Sequence, residues 1–391
     1  MRLLFITPYY EPAYAFGGPA RSIPALCQAL AREGAEVEVF STDAAGPGRR
    51  LQLPLEIPLL RQGVLVHYFK HYGGRFFYAP ALGRACRERL REFDIAHIFA
   101  LWTYPAWPAS LGARRHGVAT VESLRGALMP WDYARRRLKK ALYMALAERR
   151  RLNMAAALHC TSQAESKALQ PLGLRPPRYV VPNGLDTEGL QVLPPRGVLR
   201  QRLGIGPEEP LSLFMGRLSA KKGLELMLRA FALVASAGRG HLVLAGPQEE
   251  GWGHRARALA AELAIAELVH FVGLLEARER LGALADADLL VLLSWSENFG
   301  MVVAEAMAAG LAVLVSEHVG LAPDVRRAGA GLVVPMHTQE AARAWRQLLE
   351  SPRRRALMGR RGRAFARRHY DWQQVARQML KVYEEVLGKR R

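Results

Sequence analysis

Short apolar runs alternate with amphipathic stretches along the whole chain. The runs are continuous rather than alternating with polar residues, which predicts parallel strands covered by helices on both faces. In the first half the predicted strands are residues 3–7, 37–41, 64–69, 95–100, 118–123, 157–161 and 179–181. In the second half they are residues 211–216, 242–246, 269–273, 289–293, 313–316 and 332–335. Helical spacing between strands, as in 23–33 and 138–152, completes an α/β pattern.

A turn-rich stretch divides these two halves. Residues 182–210 contain an Asn-Gly pair and five prolines, namely Pro182, Pro194, Pro195, Pro207 and Pro210. We therefore predict two doubly wound domains, 1–190 and 205–370, followed by an amphipathic helix over 372–391. Because such sheets bind ligands at the carboxyl ends of their strands, we expect the site in a cleft between the domains.

Composition changes this picture in one respect, the charge. Half of the 391 residues are hydrophobic, as in a soluble globular protein, yet the formal net charge is +20. Such a charge predicts an anionic partner. Three cysteines lie far apart and match no metal-ligand spacing. No apolar run has the roughly 20 residues of a membrane span, and the apolar start is too short for a signal peptide, so we expect a cytoplasmic protein.

The segment 294–310 is the most informative for chemistry. Glu297 falls in the turn after a predicted strand, and Glu305 lies inside the helix that follows. Between them, the amides of Phe299, Gly300 and Met301 form a helix N-terminus, which attracts phosphate. An acid on each side of an anion site suits a nucleotide sugar, which has hydroxyls at both ends of a diphosphate. Taken alone, the E-x7-E spacing is more typical of two exposed glutamates on an ordinary helix, and it is the surrounding Ser, Asn-Phe-Gly and small residues that favour the anion site.

Three further segments accompany it in a characteristic order. They are Gly17-Gly18-Pro19-Ala20-Arg21, Val180-Val181-Pro182-Asn183-Gly184-Leu185-Asp186 and Gly216-Arg217-Leu218-Ser219-Ala220-Lys221-Lys222-Gly223. With 294–310, the set resembles the retaining GT-B glycosyltransferases of family 4, the group 1 type, over almost the whole chain. The resemblance implies an α/β GT-B fold of two doubly wound Rossmann-like domains facing an interdomain cleft, with the last helix packing back on the first domain.

The same resemblance implies roles for individual residues. Glu305 would hold the ribose hydroxyls and Glu297 the hydroxyls of the donor sugar. The donor-binding set is Gly17, Gly18, Leu275, Asn298, Phe299, Gly300, Met301 and Glu305. Independently of the family, Arg217 and Lys222 leave the end of a predicted strand, where two cations would stabilise a departing diphosphate more in the transition state than in the ground state.

One position departs from the family pattern. Many members carry a histidine after a strand of the first domain, and here the aligned residue is Arg125. An arginine replaces a hydrogen-bonding imidazole by a permanent cation, suited to phosphate or to an acidic acceptor. We count Arg125 with Arg217, Lys222 and Glu297 as the catalytic candidates.

Other possible sites are weaker. Asp286-Ala287-Asp288 is a D-x-D triplet, but it precedes its predicted strand and so lies away from the expected cleft. We predict neither a metal site nor a cofactor, and the donor, UDP- or GDP-linked, is a co-substrate. Aromatic residues after the first-domain strands, such as Tyr9, Tyr14 and Trp102, suit either an acceptor glycan or the core.

Residues 135–151 combine eight arginines and lysines with leucines at helical spacing. This pattern predicts a helix on an anionic membrane surface, although a solvated helix face explains it equally well. Nothing predicts a nucleic-acid module.

The sequence therefore predicts a retaining enzyme that moves a hexose from a nucleoside diphosphate sugar to a glycan or lipid-linked acceptor, in cell-surface polysaccharide synthesis. It would act in the cytoplasm or on the inner face of the membrane. Two alternatives stay open, a non-catalytic GT-B binding or scaffold protein and a nucleotide-sugar epimerase.

Overall fold

The computed structural model describes residues 1–99, 101–134, 137–238 and 240–389, with the side chain of residue 137 left out. The chain divides into two compact units, Met1–Gly184 with Trp372–Arg391 and Leu185–Asp371. In the described part of the chain, no helix is both long enough and apolar enough to cross a membrane.

The first unit is built on an eight-stranded sheet. The strands of this unit are β1 Arg2–Thr7, β2 Glu36–Thr42, β3 Ala44–Gly46, β4 Arg49–Arg50, β5 Leu59–Arg61, β6 Val64–Phe69, β7 Ile95–Phe99, β8 Ala119–Ser123, β9 Ala157–Cys160 and β10 Arg178–Val180. Of these, β3 and β4 form a small separate hairpin, and the other eight form the sheet. The order in the sheet is β10-β9-β8-β7-β1-β2-β6-β5, and every neighbouring pair is parallel except β5 with β6. The order reverses between β1 and β7, as in a doubly wound sheet.

Helices cover both faces of this sheet. They are α1 Pro19–Arg32, α2 Pro80–Arg89, α3 Ala106–His116, α4 Pro130–Ala134, α5 Arg137–Tyr143, α6 Arg149–Leu152, α7 Gln163–Ala168 and, from the other end of the chain, α16 Trp372–Gly388. A π-helical turn, Met144–Glu148, joins α5 to α6 without a break.

The second unit has a six-stranded, fully parallel sheet. Its strands are β11 Leu211–Met215, β12 His241–Ala245, β13 Val269–Gly273, β14 Leu289–Leu292, β15 Ala312–Ser316 and β16 Gly331–Val334. Its helices are α8 Val198–Leu203, α9 Leu224–Ala235, α10 Trp252–Glu262, α11 Ala277–Asp286, α12 Met301–Ala309, α13 Ala322–Ala328, α14 Thr338–Leu349 and α15 Pro352–Tyr370. The order β13-β12-β11-β14-β15-β16 is the Rossmann order, and it reverses between β11 and β14.

Every predicted strand overlaps a strand of the structure to within about two residues, and Ala100 lies outside the described residues. The sequence did not predict the β3–β4 hairpin or the edge strand β5. These segments are only two or three residues long, so they carry no apolar run that could have indicated them.

The last helix completes the core of the first unit. Val375, Met379 and Val382 of α16 are buried in the same cluster as Leu26 and Leu30 of α1. The Tyr383 hydroxyl hydrogen-bonds to Nδ1 of His97 at 2.6 Å, and this histidine of β7 is fully buried.

The basic segment 135–151 is not uniformly a surface. Residues 135 and 136 lie outside the described residues. Arg151 is fully buried and pairs with Glu148 (2.7 Å) and with Glu122 of β8. Burial raises the pKa of Glu122 to about 7, and Arg151 counteracts part of that rise. The prediction that Arg151 contributes to a basic surface was wrong, because two buried carboxylates compensate its charge inside the unit.

We predict that Arg151→Met lowers the free energy of unfolding by about 3–5 kcal/mol, because two buried carboxylates lose their cation. The exposed neighbour Arg150 provides the control, since Arg150→Met should change it by no more than about 0.5 kcal/mol. Urea denaturation followed by circular dichroism measures both. Equal midpoints for the two variants would contradict a stabilising role for the buried cluster.

Candidate functional site

The predicted donor site lies where the strand order of the second unit reverses. After β11 the chain makes a short 3-10 turn, Ala220–Lys222, and enters α9 through Gly223, whose φ is +62°. A Cβ on Gly223 would lie 2.0 Å from the carbonyl oxygen of Leu293, just beyond the end of β14. Only glycine allows this approach, so the loops after β11 and β14 meet. The amide of Trp295 donates to the Lys221 carbonyl at 2.9 Å and joins the loops again.

This junction brings two predicted residues together. The Lys222 Nζ donates to Oε2 of Glu297 at 2.7 Å, and both side chains are largely shielded from solvent. The backbone of Glu297 is fixed from the other side, because its amide donates to the His318 carbonyl (3.1 Å) and its carbonyl accepts from the Gly320 amide (2.8 Å). Lys222 and Glu297 thus form a positioned ion pair at the carboxyl ends of the central strands.

The helix N-terminus expected beside this pair is present. Gly300 caps α12 with a φ of +98°, and Met301 begins the helix. Among the described residues, the amides of Phe299, Gly300 and Met301 donate to no other residue. Unpaired amides at the start of a helix are the groups that bind phosphate oxygens.

Glu305, one turn into α12, has a partner that the sequence analysis missed. It accepts a hydrogen bond from Nη2 of Arg280, which lies on α11. The pair joins two helices that β14 separates in the chain, so no spacing in the sequence could have indicated it. Arg280 holds the Glu305 carboxylate in one place.

Arg217 is not joined to Lys222 by any described contact. Its side chain is 64% exposed, and Nη1 donates to Oε1 of Glu249, in the loop after β12, at 2.6 Å. Glu249 is a second partner that the sequence analysis did not identify. The structure therefore places Arg217 at the end of β11, as predicted, but paired with an acid outside the predicted set.

The other predicted donor-binding residues of this unit contribute differently. The side chains of Phe299 and Leu275 are buried in the core, and Phe299 packs edge-on against Tyr370 with ring centroids 5.6 Å apart. Only the main chain of these two residues is available to a ligand. Asn298 is half-buried in the loop before α12.

Two buried hydroxyls near this loop were also not singled out. Ser294 and Ser296 have side-chain oxygens that are shielded from solvent and that make no hydrogen bond within the described residues. They flank the exposed Trp295. A ligand hydroxyl or phosphate oxygen is the kind of partner that such groups accept.

In the first unit, Arg125 follows β8 with a left-handed backbone, φ +51°. Its guanidinium donates to Asn183 and to Ser22 Oγ of α1 (3.4 Å) and lies 5.1 Å from the Phe99 ring centroid. Burial lowers the pKa of Arg125 to about 10, against the opposing effect of Glu165. Its Nε is buried without a partner among the described residues. Arg125 is thus a cation at the carboxyl end of the sheet, already held by two neutral oxygens.

Gly17 and Gly18 lie directly before α1, after β1. A Cβ on either residue would meet no atom within 4 Å, so this turn is open on its outer side. The aromatic residues after β1 differ in their surroundings. Tyr10 is buried in the core, and Tyr14 is exposed with the Arg21 guanidinium over its ring. Tyr9 stacks on Phe16 with ring centroids 4.3 Å apart.

Both carboxylates of the D-x-D triplet have structural partners. Asp286 accepts from the backbone amides of Leu199 (2.6 Å) and Arg200 (3.1 Å) at the start of α8, and Asp288 pairs with the Arg200 side chain at 2.8 Å. Within the described ranges, no three His, Cys, Asp or Glu side chains are placed to hold a metal ion together.

Comparison with known proteins gives two family matches that together span most of the chain. The family described as "Glycosyl transferases group 1" matches residues 196–365, and that described as "Glycosyl transferase 4-like domain" matches residues 17–184. Among similar proteins, a D-inositol 3-phosphate glycosyltransferase of Kineococcus radiotolerans is 28% identical and aligns over 96% of this chain and 92% of its own. One from Thermobispora bispora is 30% identical, over 72% of this chain and 67% of its own.

Solved structures of the same fold include sucrose-phosphate synthase of Thermosynechococcus elongatus, with a TM-score of 0.74, 20% identity and 99% of each chain covered. The Anabaena protein HepE in complex with UDP also has a TM-score of 0.74 at 20% identity, over 98% of this chain and 100% of its own. These neighbours are GT-B proteins. The GT-B fold predicted from the sequence, and the family it resembles, are confirmed.

We predict that Gly320→Ala disturbs the predicted donor site without altering any of its side chains. A Cβ on Gly320 would lie 2.0 Å from the Asn298 carbonyl oxygen, so the loop before α12 must move, at a cost of about 1–3 kcal/mol in the free energy of unfolding. A Cβ on Gly282, inside α11, would meet no atom within 4 Å, and Gly282→Ala should be neutral or gain up to about 1 kcal/mol. Thermal and urea denaturation compare the two alanine variants, and equal stability would show that the loop is not tightly held.

Proposed function

We propose that this chain, a member of the group 1 glycosyltransferases, transfers a hexose with retention at the anomeric carbon. As a member of that family it is an enzyme that uses a nucleotide sugar. The observation that carries this proposal is the Lys222–Glu297 pair beside the unpaired amides of α12. Together they offer a cation and hydrogen-bond donors to a diphosphate, and an acid to the hydroxyls of a sugar.

In the proposed mechanism, the bond between the anomeric carbon and the diphosphate oxygen breaks while the acceptor oxygen bonds to the same face of the sugar. The proton of the acceptor hydroxyl passes to the leaving phosphate oxygen, so no protein base is required. Arg217, Lys222 and the α12 amides would stabilise the charge that develops on the diphosphate, without a metal cofactor. Glu305, positioned by Arg280, would bind the ribose hydroxyls, and Glu297 those of the donor sugar.

For the donor we propose a UDP- or GDP-linked sugar, with UDP first in order because HepE was solved with UDP. For the acceptor we propose a glycan or a lipid-linked sugar in cell-surface polysaccharide synthesis. The relatives named for D-inositol 3-phosphate make a phosphorylated polyol the second candidate. Either acceptor would approach the first unit, where Arg125, Gly17 and Gly18 lie at the carboxyl end of the sheet.

For the location we propose the inner face of a membrane, with an anionic lipid surface as the partner of the segment 135–151. The outward-facing cations Lys139, Arg149 and Arg150 support this partner, whereas Arg151 does not contribute to it.

We expect a UDP- or GDP-sugar to raise the melting temperature by about 5–10 °C at a hundredfold excess over its Kd, because the ligand binds only the folded state.

Glu305→Ala should weaken donor binding at least tenfold, and Arg280→Gln should weaken it less, since it removes only the positioning of Glu305. The matched controls are Glu262→Ala, at the exposed end of α10, and Arg202→Gln, which removes an exposed pair with Glu279 on α11. Unchanged binding by Glu305→Ala would overturn the assignment of the donor site.

Turnover separates an enzyme from a scaffold. Slow hydrolysis of the preferred donor, or transfer to a lipid-linked sugar or inositol phosphate, should be measurable with the purified protein. Lys222→Met should lower kcat/KM by about 10²–10³-fold because the leaving diphosphate loses a fixed cation, while Lys221→Met, one residue earlier, should lower it by less than about threefold. If the wild type binds donor yet neither hydrolyses nor transfers it, the scaffold alternative is correct. A product epimerised within the nucleotide sugar would favour the epimerase.

A further inference from the structure

Three leucines of the first unit stand out from its surface. Leu138, Leu142 and Leu146 are 87%, 61% and 74% exposed, and we call them the leucine ridge. They are spaced by four residues along the continuous helix formed by α5, the π-helical turn and α6. Side chains four apart on a helix lie one above the other, so the three leucines form one apolar line rather than scattered exposed residues.

The same helix is firmly attached to the unit by its opposite side. Met144 and Leu152 are buried in a core cluster with Leu124, Leu158 and Leu174. Glu148 and Arg151 are buried as well, and Arg151 joins Glu122 of β8. The orientation of the helix is therefore set by its buried residues, and the leucine ridge is what this attachment leaves outside.

The surface beside the leucine ridge is cationic. Lys139, Arg149 and Arg150 are exposed next to its ends. The only acidic residue between positions 135 and 151 is Glu148, which is buried. An apolar line bordered by cations, with no exposed acid between them, has the composition of a helix that lies in the plane of a membrane interface.

We propose that the leucine ridge inserts into the acyl-chain boundary of an anionic bilayer while Lys139, Arg149 and Arg150 bind the lipid headgroups. A polyanion in solution would satisfy the cations but leave the leucines in water. An uncharged apolar protein face would cover the leucines but leave the cations without partners. An anionic bilayer meets both requirements, because apolar chains lie directly beneath a layer of negative charge. The inference deepens the membrane partner proposed above, and it makes contact with acyl chains, rather than charge alone, the source of binding.

Co-sedimentation with vesicles tests this inference on the full chain. Wild-type protein should bind vesicles of phosphatidylglycerol mixed with phosphatidylcholine and bind phosphatidylcholine alone far more weakly. The triple variant Leu138→Ser, Leu142→Ser, Leu146→Ser should bind the mixed vesicles at least about 100-fold more weakly, since burial of even one leucine is worth about tenfold in partitioning. The control is Leu60→Ser on the edge strand β5, where a leucine that is 72% exposed belongs to no line of leucines on a helix, and it should bind as the wild type does.

Salt distinguishes insertion from attraction of charges. Arg149→Glu with Arg150→Glu should weaken binding at low salt by at least about tenfold, whereas Arg353→Glu, exposed on α15 of the other unit, should not. High salt should weaken binding of the wild type but not remove it, because the leucines are not screened, and should remove the residual binding of the triple serine variant. Complete loss of wild-type binding in high salt would show that charge alone is responsible and would overturn the insertion.

Two outcomes would contradict insertion of the leucine ridge into a bilayer. If the triple serine variant sediments with vesicles as the wild type does, the leucines face no lipid. If instead the wild type forms a concentration-dependent dimer that the variant has lost, and neither binds vesicles, the ridge joins two copies of the chain. Circular dichroism of the variant verifies its fold, and donor hydrolysis in detergent-free buffer should stay unchanged. If vesicle binding fails while donor hydrolysis is intact, the membrane contact is overturned and the proposed transfer reaction stands. If hydrolysis fails while the protein still binds vesicles, the transfer reaction is overturned and the membrane contact stands.

Discussion

The approach of Gly223 to the carbonyl of Leu293 is the constraint on which the site of the second unit depends. Strands β11 and β14 are neighbours in the sheet, although two strands and three helices separate them in the chain. Any side chain at Gly223 would force the two loops apart. Because the loops touch, a lysine from one and a glutamate from the other can form a 2.7 Å ion pair, and the start of α12 follows within a few residues. The chemistry of the site is thus a consequence of backbone packing at the point where the strand order reverses.

The charges of this site are balanced in the free protein. Each predicted charged residue of the second unit has an opposite partner: Lys222 with Glu297, Arg217 with Glu249, and Glu305 with Arg280. A diphosphate would therefore enter a region of paired ions and compete for cations that are already positioned. Such positioning costs little reorganisation when charge develops on the leaving group, which is what favours a transition state over a ground state. The pairs also keep these side chains at fixed places before a donor binds.

The sequence predicted the sheets and the loops that carry the site, and it failed for the partners of the site residues. The strands were predictable because buried parallel strands require continuous apolar runs, and the loops because glycines and a helix start follow two of them. The partners Arg280 and Glu249 were not predictable. The pairing of Arg280 with Glu305, for example, depends on how α11 lies against α12. The segment 135–151 was misread in part for the same reason. Its arginines cannot be told apart in the sequence. Arg151 is nevertheless buried and pairs with Glu122, 29 residues earlier in the chain, while Arg150 is exposed.

The placement of α16 bears on how the protein is made. The second unit is one uninterrupted stretch, Leu185–Asp371, whereas the first unit needs residues from both sides of it. During synthesis the early strands emerge without the helix that buries His97 and covers α1, and that helix leaves the ribosome after them. The inserted unit can therefore reach its native state while the surrounding one is still incomplete, with an apolar face open to chaperones. Substitutions in α16, far along the chain, would then reduce the yield of folded protein by acting on the part that was translated first.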